Sequence, residues 1–228
     1  MKPYILTLTG PSCSGKTTLE GMLRERGFAP IKSTTTRPMR AGEVNGKSYD
    51  FITREQFAEL RDAGGFVEHV EFNGNLYGAT VAEVQSKAAT GQPIVIVAEP
   101  HGAAQIADFC RRSGWESAAV FITNPLDVIL KRYLARSMQD KPADYDKWLD
   151  QTVSRLNVMM TTEKAWIVEL DKYDLYIPEF NEENGVAIAS HLTDMVQQAK
   201  VREYPILTSP LGAGIKAVGR RHLMLRIA

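Results

Sequence analysis

Cysteine is nearly missing from this chain: Cys13 and Cys110 are the only thiols in 228 residues, so there is no disulfide framework and no cysteine-based metal cluster. A reducing compartment is the default. Net charge is missing as well, since 27 lysines and arginines balance 27 aspartates and glutamates, and nothing in that balance favours nucleic acid or an anionic membrane. The expected partners are small molecules. No apolar run approaches the roughly 18 to 20 residues of a membrane span, and the N-terminal MKPYILTLTG lacks the longer apolar core and cleavage site of a signal peptide. A cytoplasmic protein without membrane or nucleic-acid partners is therefore expected. Repeats and low-complexity tracts are absent. What is present, 44% hydrophobic and 24% charged residues, is ordinary globular composition, long enough for one sizeable core with an inserted subdomain.

The strongest local signal is LTGPSCSGKTTL, Leu8 to Leu19, which fits the phosphate-loop pattern G-x-x-x-x-G-K-[ST]. Gly10 and Gly15 can adopt backbone angles closed to other residues, so the amides of Ser12, Cys13, Ser14 and Gly15 can turn inward around a phosphate. The helix opening at Lys16, Thr17 and Thr18 adds its positive dipole end. In such a loop Lys16 reaches the β- and γ-phosphates of ATP and the Thr17 hydroxyl can hold Mg²⁺. An apolar strand before the motif and an amphipathic helix after it supply the context the motif requires.

Along the chain, the pattern predicts helices at Lys16 to Arg26, Glu55 to Ala63 (capped by Thr53), Val81 to Ala89 (capped by Thr80), about Gly102 to Arg112, Pro125 to Ser137, Tyr145 to Leu170 and Val186 to Lys200. Strands are predicted at Tyr4 to Thr9, Ala29 to Ser33, 94 to 99, 117 to 123 and 173 to 177, with strand-and-turn signals across 66 to 80. Strands alternating with helices imply an α/β fold with a parallel sheet, helices on both faces, and ligand at the carboxyl ends of the strands. Residues 31 to 90 read as an inserted α+β lobe.

Three stretches in order, GPSCSGKTTL, STTTRPMRAGEVNGKSYDF and FVEHVEFNGNLYGAT, make the chain resemble a guanylate kinase over about residues 4 to 199. The resemblance implies a P-loop kinase with a nucleotide-monophosphate lobe at 31–90, a helical lid at 132–156 within a domain of residues 1–200, and Mg²⁺-dependent transfer of the ATP γ-phosphoryl group to GMP or dGMP. It implies that Arg37, Arg40, Tyr49 and Tyr77 grip the monophosphate and that Glu43 supports the arginines. Ser33 and Glu68 match the base-contacting pair, and a carboxylate there can accept from both N1–H and the 2-amino group of guanine. Arg132, Arg136 and Arg155 match lid arginines that close over the donor phosphates. His69 is read as structural.

The chain also departs from that pattern. Ala79 stands where the family usually has a base-reading serine, and Val97-Ala98-Glu99 replaces the usual D-x-D, so Glu99 is a lengthened acid on an altered wall of the site. Pro178 to Asn181 replaces an Asn-Asp pair near the donor adenine, which leaves donor preference open. These changes suggest either drift or a pocket retuned for a modified 2-amino purine. A sugar-phosphate kinase related to ribose bisphosphate kinases is a weaker reading, because a sugar needs no purine reader. A non-catalytic guanylate-kinase-like binding module is weaker too, because Lys16 is present. Residues 201–228 form a basic extension with five lysines and arginines against Glu203, a net +4, read as either an arm for homo-oligomers or a disordered end.

Overall fold

The structure is a computed structural model, and it describes residues 2–40, 42–47, 49–72, 74–139, 144–201 and 216–217. Its centre is a six-stranded sheet in the order β10-β9-β8-β1-β7-β2, built from β1 (Tyr4–Thr9), β2 (Ala29–Pro30), β7 (Ile94–Val97), β8 (Glu116–Ile122), β9 (Leu175–Ile177) and β10 (Lys216–Ala217). All neighbours run parallel except β10, which pairs antiparallel with β9. Both faces are covered, and the two-residue period of a strand divides its side chains between them. Leu6, Leu8 and Val95 pack with Leu19 and Leu23 of α1 (Lys16–Arg24) and with Ile188, Leu192 and Val196 of α7 (Glu182–Val201). Ile5, Ile94 and Ile96 face the other way, onto Val84 of α3 (Val81–Ala88) and Ile106 and Cys110 of α4 (Pro100–Ser113).

A second sheet, β4-β3-β6-β5, is assembled from β3 (Thr34–Thr35), β4 (Asp50–Phe51), β5 (Phe66–Phe72) and β6 (Asn75–Thr80). The β5–β6 hairpin is antiparallel, and a shift of register after Phe66 sets Glu68 opposite Ala79. Between the two sheet segments, α2 (Arg54–Asp62) starts on a complete capping box, with Thr53 accepting from the Gln56 amide and Gln56 from the Thr53 amide. Thr80 caps α3 by accepting from the Glu83 amide, without the reciprocal bond.

Two helices follow β8: α5 (Leu126–Gln139) and α6 (Tyr145–Val158). The single helix expected from Tyr145 to Leu170 is not formed. It stops at Val158 and passes through a π-helical turn, Met159–Glu163, into a 3₁₀ segment, Trp166–Lys172. The wider turn changes the direction in which later side chains leave the axis, which hydrophobic spacing alone does not report. The expected strand at 94–99 ends at Val97, because Pro100 opens α4 and Glu99 is its N-cap. Most of the 201–228 extension, including the HLMLRIA stretch, lies outside the described residues.

Candidate active site

The phosphate loop leaves the carboxyl end of β1, and its two glycines are dictated by their surroundings. Gly10 has φ +139, and a Cβ there would lie 1.9 Å from the Ile122 carbonyl oxygen. Gly15 has φ +103, and a Cβ would lie 2.3 Å from the Phe180 ring. Gly15 also caps α1 in a left-handed conformation with no side-chain cap bond, and the first turn carries no acid. Helices α2, α3 and α6 each satisfy an early amide with Thr53, Thr80 or Asp144. The amides that open α1 have no side-chain cap among the described residues, as at α4, and could accept an anion. Buried Asn124, just after β8, braces the loop by donating to the Ser14 carbonyl at 2.8 Å and accepting from the Phe180 amide at 3.1 Å. The Ser14 hydroxyl is buried without a hydrogen-bond partner among the described residues.

Two clefts meet at this loop. One, about 680 Å³, is lined by Ser33, Tyr49, Glu68, Tyr77, Val97 and Glu99, with Phe72 and Trp166 at its apolar side. The other, about 950 Å³, is lined by Cys13, Gly15, Thr17, Thr18, Arg132 and Arg136. Ser12 and Lys16 border both, so an atom passing from one cleft to the other passes them. Lys16 Nζ rests on the carbonyls of Gly10 and Pro11 at 2.8 and 2.7 Å. Burial lowers its pKa to about 8, against the field of Glu163, which supports the charge.

Glu68 is 4% exposed. It takes a hydrogen bond from the Ala79 amide, while Oε2 is buried without a partner among the described residues. Burial raises its pKa to about 7, and the nearby Glu99 carboxylate adds to the rise. Gly102 makes room for it, since a Cβ there would lie 2.7 Å from Glu68 Oε2. Glu99 is itself raised by burial, opposed by His101. Ala79 sits opposite Glu68, but its side chain belongs to the buried cluster with Val67, Val84 and Ile106 and does not border the cleft. His69 bonds through its backbone to Gln105, consistent with a structural position.

The arginines are distributed unevenly. Arg37 is bound to Glu43 at 2.7 Å and lies over the Tyr49 ring, 5.5 Å from its centroid. Glu43 also accepts from the Arg40 amide at 2.7 Å, and the Arg37 hydrogen bond pulls its pKa down. The Tyr49 and Tyr77 rings meet edge to face at 6.3 Å. The Arg40 side chain opens instead onto a third cleft that it shares with Arg136 and Arg155. Arg132 donates to the carbonyls of Cys13 and Phe180 at 3.3 and 2.9 Å, fastening α5 to the phosphate loop. Arg155 pairs with Glu163 and donates to the Ser12 hydroxyl, with its guanidinium over the Phe72 ring. Sequence reasoning did not single out Asn124 or Glu163, and it met Phe180 only as part of the Pro178 to Asn181 departure. Asn124 and Phe180 follow strand ends, a position that could have flagged them, whereas Glu163 carries no local signal.

The chain matches the family model described as guanylate kinase over residues 1–179. It is 32% identical to the guanylate kinase of Deinococcus radiodurans over 206 residues, covering 86% of this chain and 82% of that protein. It is likewise 32% identical to the guanylate kinase of Hahella chejuensis over 195 residues, covering 85% and 89%. The crystal structure of guanylate kinase from Anaplasma phagocytophilum shares the fold, with a TM-score of 0.62 at 24% identity, covering 89% of this chain and 88% of that one. A family model matched over residues 1–179 and relatives 32% identical across most of both chains agree with the loop and fold described above, and the chain belongs to the guanylate kinase family of P-loop nucleoside-monophosphate kinases.

Proposed function

We propose that this protein transfers the γ-phosphoryl group of ATP to a purine (deoxy)nucleoside monophosphate with a 2-amino group, either GMP or dGMP or a modified 2-aminopurine analogue, giving the diphosphate. The observation that carries this is Glu68: a buried carboxylate with one unpaired oxygen, in the cleft that shares Ser12 and Lys16 with the phosphate cleft. Burying an acid without a partner is costly. A base offering N1–H and a 2-amino group would supply the missing donors. Ser33 would complete the base contacts, with Arg37, Tyr49 and Tyr77 on the monophosphate, Glu43 holding Arg37, and Arg40, which faces the third cleft in this structure, joining them only when the lobe closes. Residues 31–90 act as the monophosphate lobe and 132–156 as the lid.

The residues fit the donor as well. The loop has no room for Cβ atoms at Gly10 or Gly15 and offers unused amides and a buried hydroxyl. Thr17, exposed at the start of α1, would hold Mg²⁺ together with donor phosphates and water, a coordination that needs no all-protein cage. Bound Mg²⁺ would withdraw charge from those phosphates. Lys16, Arg132, Arg136 and Arg155 would then position the two substrates and neutralise charge on the transferring group, and in phosphoryl transfer such positioning supplies most of the catalysis.

Because Val97 in the cleft wall is apolar, the pocket contains less to penalise a changed 6-substituent than an aspartate there would. A coupled ADP-release assay over GMP, dGMP, 2-aminoadenine nucleotides, AMP and ribose bisphosphate tests the reading. Turnover of GMP or dGMP is expected, with the 2-aminoadenine nucleotide, which keeps the 2-amino group but offers no N1–H, behind them, and AMP, which offers neither, far behind. Preference for AMP or for the sugar phosphate would refute it.

A further inference from the structure

Glu163 is 1% exposed and lines the first cleft, bonded to Ser12, which borders both. Its carboxylate accepts from the Ser12 amide at 2.8 Å and from the Ser12 hydroxyl at 3.1 Å, and it pairs with Arg155. Arg155 donates to that same hydroxyl and keeps its second terminal nitrogen buried without a partner among the described residues. The field of Glu163 also supports the charge on Lys16. A phosphate-loop amide, a hydroxyl, an arginine and a lysine are the donors a phosphoryl group would use, and in this structure a carboxylate of the protein holds the first three and supports the charge of the fourth.

We propose that Glu163 is an internal anion that occupies the phosphoryl-transfer point before substrates bind, and that the donor phosphate displaces it. The proposal rests on the reading of this loop as the donor-phosphate site. One amide cannot serve both anions, and two anions packed around the same cations repel one another in a site sheltered from water. Glu163 is placed to yield. It ends the π-helical turn Met159–Glu163, beyond which Lys164 and Ala165 are exposed and the chain continues as 3₁₀ helix, so a short backbone rotation returns the carboxylate to solvent. Its departure frees Ser12 and the terminal nitrogen of Arg155 that it held, beside the second one already without a partner among the described residues, at the moment the phosphate arrives. Before that moment the Arg155–Glu163 pair holds the donors assembled.

Inorganic tripolyphosphate is the probe, titrated calorimetrically at pH 6.8, where Lys16 is protonated. Glu163→Gln keeps the side chain's size and one acceptor but removes the charge. Binding at least threefold tighter than wild type is expected. Equal or weaker binding would mean that Glu163 stays in place and merely positions Arg155, and the proposal falls. If the wild-type protein does not bind tripolyphosphate, or Lys16→Ala binds it equally well, the phosphate-site reading itself fails. Should Glu163→Gln not fold, the displacement can be read without it. Trp166, three residues beyond Glu163 and lining the cleft, reports alone in a protein carrying Trp115→Phe and Trp148→Phe. Saturating tripolyphosphate should change its emission, and unchanged emission at proven saturation would overturn the displacement.

Discussion

At the scale of single residues, Glu68 and Lys16 carry the clearest consequences, because both are held away from their ordinary titration ranges. For Glu68, burial raises the pKa from 4.5 to about 7, so the folded state binds this proton more tightly than the unfolded chain does. The acid is therefore tolerated at low pH, and its penalty grows as pH rises from about 4.5 through 7. At 1.36 kcal/mol per unit the penalty approaches about 3 kcal/mol above pH 8. Glu68→Gln should leave stability near wild type at pH 5 and increase it relative to wild type by up to about 3 kcal/mol at pH 8.5, while turnover of guanine nucleotides collapses. Urea unfolding at the two pH values checks this, and parallel stability profiles would contradict it. Lys16 is the opposite case. Its pKa near 8 should climb when donor phosphates surround it, so nucleotide binding at pH 8 should take up part of a proton and binding at pH 6.5 almost none. Calorimetry in buffers of different ionisation enthalpy measures that uptake, and Lys16→Ala should abolish it.

At the scale of elements, the phosphate loop is a joint between three strand ends. Asn124, after β8, holds the Ser14 carbonyl and the Phe180 amide after β9, and Arg132 from α5 holds the Cys13 and Phe180 carbonyls. Asn124→Ala would strand one buried acceptor and one buried donor, at about 1–3 kcal/mol each. A loss of about 2–4 kcal/mol in urea unfolding is expected, with weakened nucleotide binding as the loop loosens. A loss under about 0.5 kcal/mol would show that the joint is not structural. Helix α1 shows how much of an element the sequence can announce. Its start at Lys16 was readable from the glycine spacing, since Gly15 must adopt a left-handed angle beside Phe180. The segment after Tyr145 was not. Its apolar spacing suits one continuous helix, and the π turn that aims Glu163 at Ser12 depends on where α6 meets the loop.

At the scale of the whole molecule, the arrangement of clefts predicts movement. The cleft-lining residues come from the central sheet, from the smaller β4-β3-β6-β5 sheet and from the segment carrying Arg155 and Glu163, which must converge on two anionic substrates. A two-substrate analogue should therefore contract the particle, with a smaller radius of gyration in small-angle scattering. An unchanged radius at saturation would argue that the empty form is already closed.

The sequence alone determined the parts whose causes are local. Glycine angles, threonine caps, the two-residue period of buried strands and the phosphate-loop spacing each act within a few residues, so the α/β order and the positions of Lys16, Thr53 and Thr80 are legible in the sequence itself. Tertiary structure decided what depends on elements far apart in the chain meeting. It turned Ala79 into the core while setting its amide on Glu68, and it spent Arg132 on loop carbonyls. It also brought Glu163 across 151 positions to the amide of Ser12. A side chain's charge is written in the sequence, but the donors it meets and the water it loses are set only when distant segments pack together.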